Sequence, residues 1–193
     1  MLPILIFCAY LIGSVSTAII VCKVLKLPDP RTQGSNNPGA TNVLRIGGKK
    51  AAAITLIGDG LKGVVPVLIA HYLEFGLVDV ALVALFSFLG HVYPVFFGFK
   101  GGKGVATFLG ALLAINYIAG LGFVITWLFV AKVLKISSLS ALIATLLTPI
   151  YFYLITSDVI ASYVISIICL WIFYTHRENI KRILSGDEGK IKS

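Results

Sequence analysis

Thirty consecutive residues, Val105 to Leu134, carry a single charged side chain, Lys132. A run of about 20 apolar residues in a helix already crosses the hydrocarbon core of a membrane. Further apolar runs cover Leu2 to Val24, Ala51 to Tyr72, Val80 to Phe97, Leu139 to Ile155 and Val159 to Tyr174. Across the 193 residues 58% are hydrophobic and 12% charged, which is far too apolar for an ordinary soluble domain. The chain therefore reads as an all-α integral membrane protein, a single membrane-embedded domain over residues 1–193 without a repeat of fixed period. Its first run lacks a basic leader and a small-residue cleavage site, so it reads as a retained span, not a signal peptide. Cys8, Cys22 and Cys169 all fall in apolar runs and read as reduced packing residues.

The thirty-residue run poses a topological choice. As one helix it would be about 45 Å long against a core of about 30 Å. Asn116, Gly120 and Gly122 lie in its middle, so it is one steeply tilted helix or two short ones. Charge decides, because Lys and Arg collect on the cytoplasmic side. With a turn near Gly120 there are seven spans. Lys26, Arg31, Arg45, Lys49 and Lys50 then share a side with Lys100, Lys103, Lys132 and Lys135. Lys23 sits at the same surface, and the tail with Arg177, Lys181, Arg182, Lys190 and Lys192 joins them. Only Lys62 stays within a span, and the opposite loops hold His71, Glu74, Asp79 and Asp158. A single helix would send Lys132, Lys135 and the tail to the other side. The expected architecture is a seven-transmembrane-helix bundle, N-terminus outside and C-terminus cytoplasmic. The two halves of the long run, each about 20 Å, would need local thinning of the bilayer.

This topology puts every polar, glycine-rich segment on one face. GSNNPGATNVLR, residues 34–45, interrupts two apolar stretches. Asn37 before Pro38 reads as a helix N-cap and first position, and Gly47 with Gly48 as the stop. Ser35, Asn36, Asn37, Thr41 and Asn42 form a polar cluster, with Arg45 near the helix end. An interfacial anchor helix would explain Val43, Leu44 and Arg45 but not that cluster. Exposed N–H groups at such a helix start favour an anion. The second segment, GFKGGKGVAT, sets glycines around Lys103 at a helix start. Gly101, Gly102 and Gly104 suggest a backbone nest for phosphate. It is not a nucleotide-binding loop of the G-x-x-x-x-G-K-[ST] type, since Phe97 and Gly104 break that pattern. A flexible turn with positive-inside lysines would account for Lys100 alone. The third segment, THRENIKR, spaces His176, Asn179 and Arg182 along one helical face. A basic stop-transfer flank would account for Arg177, Lys181 and Arg182, less well for His176 and Asn179. Ser137, Ser138 and Ser140 open a span on the same side; capping is their default reading, phosphate contact the alternative. Asp59 and Lys62, three apart within a span, read as a structural ion pair. Gly13, Ser14, Ser16 and Thr17 suggest close packing in the first span.

The three segments, 34–45, 90–107 and 175–182, together resemble the bacterial acylphosphate:glycerol-3-phosphate acyltransferases, the PlsY family. GSNNPGATNVLR, the region around HVYPVFFGFKGGKGVAT, and THRENIKR are similar to its three motifs in order and spacing. The resemblance covers nearly the whole chain and implies seven spans and a bacterial inner-membrane location. It implies transfer of a fatty acyl group from acyl phosphate to the 1-hydroxyl of sn-glycerol 3-phosphate. Lysophosphatidic acid and phosphate would be the products, in the first acylation of phospholipid synthesis. No cofactor, no metal and no nucleic acid would be involved, and the expected working form is a monomer contacting membrane lipid. Ser35, Arg45, Lys103, His176 and Asn179 would be catalytic. Asn36, Asn37, Thr41, Gly101, Gly102, Gly104, Thr107, Ser138 and Ser140 would bind substrate. The rival function from another class is a transporter of a phosphorylated metabolite, which would place its charged site at mid-membrane.

Overall fold

The computed structural model describes residues 1–191; Lys192, assigned above to the basic tail, lies outside them. The described residues are helical with no strand, and the chain divides into two compact units, Met1–Ile115 and Asn116–Ser193.

In the first unit the opening apolar run is two helices, α1 (Leu2–Gly13) and α2 (Thr17–Val24). Within the bilayer a broken helix must re-satisfy its freed backbone groups. Here the Ser14 hydroxyl donates to the Tyr10 carbonyl at 2.8 Å, and the Lys62 ammonium donates to the Val15 carbonyl at 2.9 Å. Helix α3 (Ala40–Tyr72) changes direction at Gly48, whose φ of 76° is left-handed, so a short stub precedes the span. The stub therefore ends where the Gly47-Gly48 pair predicts. It starts later than predicted: Gly39, not Asn37, is the N-cap, and it makes no side-chain capping bond. The Gly39 carbonyl accepts from the Asn42 and Val43 N–H groups. Val43 is fully buried in a cluster with Ala18, Val21, Cys22 and Ala51, so the stub is pinned to α2.

Helix α4 (Leu77–Val92) ends at Tyr93 and Pro94, a single 3₁₀ turn covers Val95–Phe97, and α5 runs Val105–Ile115. Glycines bring these helices into backbone contact. A Cβ at Gly13 would overlap the Ser87 carbonyl, and one at Gly90 the Tyr10 carbonyl, where α1 meets α4. A Cβ at Gly63 would overlap the Thr107 carbonyl, and one at Gly110 the Gly60 carbonyl, where α3 meets α5. Without a hydrophobic drive between helices in lipid, such close approach supplies the dispersion contacts that hold a bundle together. Phe88, Phe108 and Leu112 fill the interior, while Ile57, Leu61 and Leu68 of α3 face outward.

In the second unit α6 (Tyr117–Leu134), α7 (Ser137–Thr156) and α8 (Val159–Thr175) are followed by the strongly amphipathic α9 (Arg177–Ser185). The Thr126 and Tyr151 hydroxyls meet at 2.9 Å between α6 and α7. Helix α9 leaves α8 at a 57° bend at His176.

The long run is indeed two helices, but it breaks at Asn116 and not at Gly120. The Asn116 side chain accepts the Ala119 N–H at 3.0 Å and so caps α6, whereas Gly120 is buried inside that helix. The halves are also unequal. Helix α6, with 18 residues, is about 27 Å long and spans unaided; α5, with 11, is about 16 Å. Among the described residues five stretches are long and apolar enough to cross a membrane, namely α1 with α2, α3, α4 with its 3₁₀ turn, α6 and α7, or six if the bent pair α8 and α9 is one span. The protein is a multi-pass integral membrane protein.

Candidate active site

The loop from Lys26 to Gly39 is built around one side chain. Asn42, buried to 1% exposure, takes the Ser35 N–H on its Oδ1 at 2.9 Å. Its Nδ2 donates to the Pro30 and Gln33 carbonyls, each at 2.9 Å. Asn42 thus holds the loop in shape, and both of its amide hydrogens are committed to backbone carbonyls, leaving none to donate to a ligand. A second clamp is the Asp29–Arg31 pair at 2.7 Å, from which Arg31 Nη1 also reaches the Phe97 carbonyl at 3.2 Å. The guanidinium beside Asp29 holds its carboxyl below the usual aspartate range, so the clamp stays charged at neutral pH. Around this frame Ser35, Asn36, Thr41 and Arg45 are exposed and Asn37 is half-buried. Asn36 has φ of 56°, a left-handed conformation that asparagine tolerates.

The glycine loop lies against the same frame. The expected nest is not made by Gly101 and Gly102, because their N–H groups are already used. Gly101 donates to the Val92 carbonyl and Gly102 to the His91 carbonyl, both at 3.2 Å. Their glycine character serves close approach instead. A Cβ at Gly101 would overlap the His91 carbonyl; one at Gly102 would overlap His91 Nε2 and sit 3.0 Å from the Pro38 carbonyl. The first and second segments therefore touch at Pro38 and Gly102. Gly104 has φ of 87°, and a Cβ there would overlap the Phe88 ring. Lys103, half-buried between these glycines, is held in place by the tight loop.

Beneath the loop Asp59 and Lys62 pair at 2.9 Å, with side chains 2% and 5% exposed. His91 Nδ1 lies 3.8 Å from the same Asp59 oxygen. The expected structural ion pair is present, and His91 extends it up to Gly102.

In the second unit His176 is buried at the α8–α9 bend, with Nδ1 2.8 Å from the Ile172 carbonyl. A carbonyl only accepts, so Nδ1 carries the proton and Nε2 is the nitrogen whose protonation sets the ring's charge. Asn179, one turn along α9, is 6% exposed. Its Nδ2 donates to Glu188 Oε1 at 2.6 Å, and the Ser138 hydroxyl donates to the same oxygen at 2.6 Å. Arg182 Nε donates to Glu188 Oε2 at 2.7 Å.

The family model for glycerol-3-phosphate acyltransferases matches residues 3–186. The chain belongs to the glycerol-3-phosphate acyltransferase family. A family member from Ruthia magnifica subsp. Calyptogena magnifica is 74% identical over 188 residues, covering 97% of this chain and 95% of its own. Two crystal structures of PlsY (YgiH), an integral membrane glycerol 3-phosphate acyltransferase, are also similar. Its glycerol 3-phosphate form is 39% identical with a TM-score of 0.94, covering 99% of this chain and 96% of its own. Its lysophosphatidic acid form is 37% identical with a TM-score of 0.92, covering 99% and 95%.

Within this acyltransferase two expected substrate-binding residues sit in packing. Thr107 is fully buried where α5 meets α3. The Ser140 hydroxyl is likewise buried and donates back to the Ile136 carbonyl at 2.8 Å within α7, so it does not cap the helix, whose N-cap is Ile136 without a side-chain bond. Ser138 differs, since its hydroxyl points to Glu188. Sequence reasoning passed over Glu188 altogether. Its one signal was an acid surrounded by the basic residues of a tail.

Proposed function

We propose that the protein transfers a fatty acyl group from acyl phosphate to the 1-hydroxyl of sn-glycerol 3-phosphate, releasing lysophosphatidic acid and phosphate. The observation that carries this is the match to a family whose solved relative exists in glycerol 3-phosphate and lysophosphatidic acid forms. Acyl phosphate as donor rests on the three motif segments. The working topology has seven crossings, with the short α5 and the 17-residue α8 each counted as one. The N-terminus is outside, and the motif segments face the cytoplasm at a bacterial inner membrane. The positive-inside distribution of Lys and Arg supports that orientation. The enzyme works as a monomer in contact with lipid.

Both substrates carry phosphate, and two such anions about 5 Å apart repel strongly in a low-dielectric site. Arg45 and Lys103 supply fixed positive charge, Arg45 by a bidentate fork and Lys103 as a compact point charge. Ser35, Asn36 and the half-buried Asn37, on a loop that Asn42 and Arg31 hold rigid, and the exposed Thr41 at the start of α3 donate to substrate oxygens. Gly101, Gly102 and Gly104 keep Lys103 in place and let substrate approach the backbone. His176, Asn179 and Ser138 add a further donor set. In the reaction the glycerol hydroxyl oxygen attacks the acyl carbonyl carbon. The bond from that carbon to the phosphate oxygen breaks, and the hydroxyl proton passes to a substrate phosphate oxygen. His176 positions and neutralises charge, without serving as the base.

Purified protein given acyl phosphate and labelled glycerol 3-phosphate, with no ATP, coenzyme A or added metal, should form labelled lysophosphatidic acid. No product would refute the proposal, and uptake of label into vesicles would favour a transporter. His176→Gln should raise KM more than it lowers kcat. Abolished turnover with unchanged substrate affinity would make His176 the base and end the substrate-assisted version.

A further inference from the structure

Past α9 the chain reverses at Gly186, where φ is 81° and the Asp187 N–H donates to the Arg182 carbonyl at 2.8 Å. The turn carries Glu188 into the donor set described above. One carboxylate oxygen takes bonds from Ser138 and Asn179, the other from Arg182. The side chain is 9% exposed, although its chain neighbours Asp187, Gly189 and Lys190 are exposed. A second fastening follows, as the Ile191 N–H donates to the Lys135 carbonyl at 2.6 Å.

Two neutral donors and a guanidinium around a pair of oxygens is what a phosphate monoester dianion also requires. We propose that Glu188 is an internal competitor for substrate phosphate: its carboxylate fills the Ser138–Asn179–Arg182 donor set and must swing out before a phosphate monoester can bind there. The inference rests on the reading that Ser138 and Asn179 hold substrate phosphate. The occupant is built to leave. It sits beyond the last helix, its flanks are in solvent, and its departure strands no charge because Arg182 is 44% exposed. It is also built to return, since a tethered group acts at a millimolar effective concentration. Burial works against the Glu188 charge, but the bonds from Ser138, Asn179 and Arg182 outweigh it and hold its pKa below the ordinary glutamate value. The competitor is therefore anionic at neutral pH.

The test compares full-length wild type with Glu188→Ala and Glu188→Gln. Initial rates are taken against glycerol 3-phosphate and with inorganic phosphate as inhibitor. If the tail fills the site about nine-tenths of the time, emptying it lowers an apparent dissociation constant about tenfold. Glu188→Ala should therefore lower both the KM for glycerol 3-phosphate and the Ki for phosphate about tenfold at unchanged kcat. Glu188→Gln, which keeps the shape without the charge, should fall between. Unchanged constants would overturn the proposal, as would a lower kcat with KM intact, which would make Glu188 an orienting residue for Asn179. Hydrogen exchange on the wild type gives a reading independent of any variant. Inorganic phosphate and glycerol 3-phosphate, added separately, should each speed exchange at residues 187–191, and no acceleration with either overturns the idea. Acceleration by glycerol 3-phosphate alone would assign the displacing anion to that substrate. Ser138→Ala and Asn179→Ala separate the two levels. If neither raises the phosphate Ki, the underlying site reading fails. If both do and Glu188→Ala is silent, only the competitor fails.

Discussion

Asp59 in the first unit and Glu188 in the second are both carboxylates held by a cation, yet they are built in opposite ways. Asp59 sits 2% exposed among spanning helices, with Lys62 on its own helix and His91 on the next. Lys62 is fixed as well by the Val15 carbonyl that the α1–α2 break exposes. Nothing in that set can reach water without unpacking helices. Glu188 rides on a tail, and its cationic partner is 44% exposed. The difference teaches how to sort charged clusters in a membrane enzyme. A pair whose members all belong to packed spans is architecture. A pair with one member on an exposed tail can exchange that member for a ligand.

The sharpest way to break the distinction is Asp59→Ala. It would leave the Lys62 ammonium buried without its carboxylate, a defect of about 3–5 kcal/mol. Thermal unfolding in detergent should show a large fall in Tm. Asp59→Ala combined with Lys62→Met should recover most of that fall, because the uncompensated charge is then gone too. A single variant that unfolds like wild type but is inactive would move Asp59 from architecture to chemistry.

A smaller effect is expected at the roof of the same cluster. Gly102→Ala would press a methyl group into the His91 ring, which rests near Asp59 and cannot retreat far. The loop carrying Lys103 must then move, and a misplacement of about 1 Å can cost about 100-fold in rate. The expected result is a kcat near one-hundredth of wild type with a modest change in Tm. Equal losses in Tm and kcat would mean the loop had simply come apart.

These two residues also mark where the sequence could be read. Asp59 and Lys62 were legible because three residues of helix put them on one face and the apolar run around them made any charge conspicuous. The glycines flanking Lys103 were legible as a tight loop, but not their use. Whether a glycine N–H faces a ligand or a carbonyl depends on the chain packed behind it, here the end of α4. The break at Asn116 was misplaced to Gly120 for a related reason. Glycine is the commoner punctuation in a sequence, yet inside a bundle it often marks close packing, and Asn116 acts through a capping bond to a residue three positions on. Asn42 was visible only as one of several polar residues; its three backbone partners span residues 30 to 35 and exist only once the loop is closed. Glu188 was the hardest, because its contact with Ser138 joins residues 50 apart.

The smallest stability effect should come from Glu188, and it completes the contrast with Asp59. Because the cluster can open to solvent, Glu188→Gln should move Tm by less than about 0.5 kcal/mol equivalent, the range of an exposed ion pair. Acidification should do the same job reversibly. Docking lowers the Glu188 pKa from its ordinary 4.5, and the charged group acting on it is Arg182, which keeps its charge throughout. A lowered carboxylate pKa means the docked form gains its stabilisation above 4.5 and loses it as pH falls through the lower folded value. Hydrogen exchange at residues 187–191, corrected for its intrinsic pH dependence, should therefore stay slow from neutral pH down to about 4.5 and quicken below it. In Glu188→Gln the tail should exchange at one corrected rate across the whole range. A wild-type tail that opens near neutral pH would show that another group controls it, and the exchangeable pair would lose its claim to be held by this carboxylate.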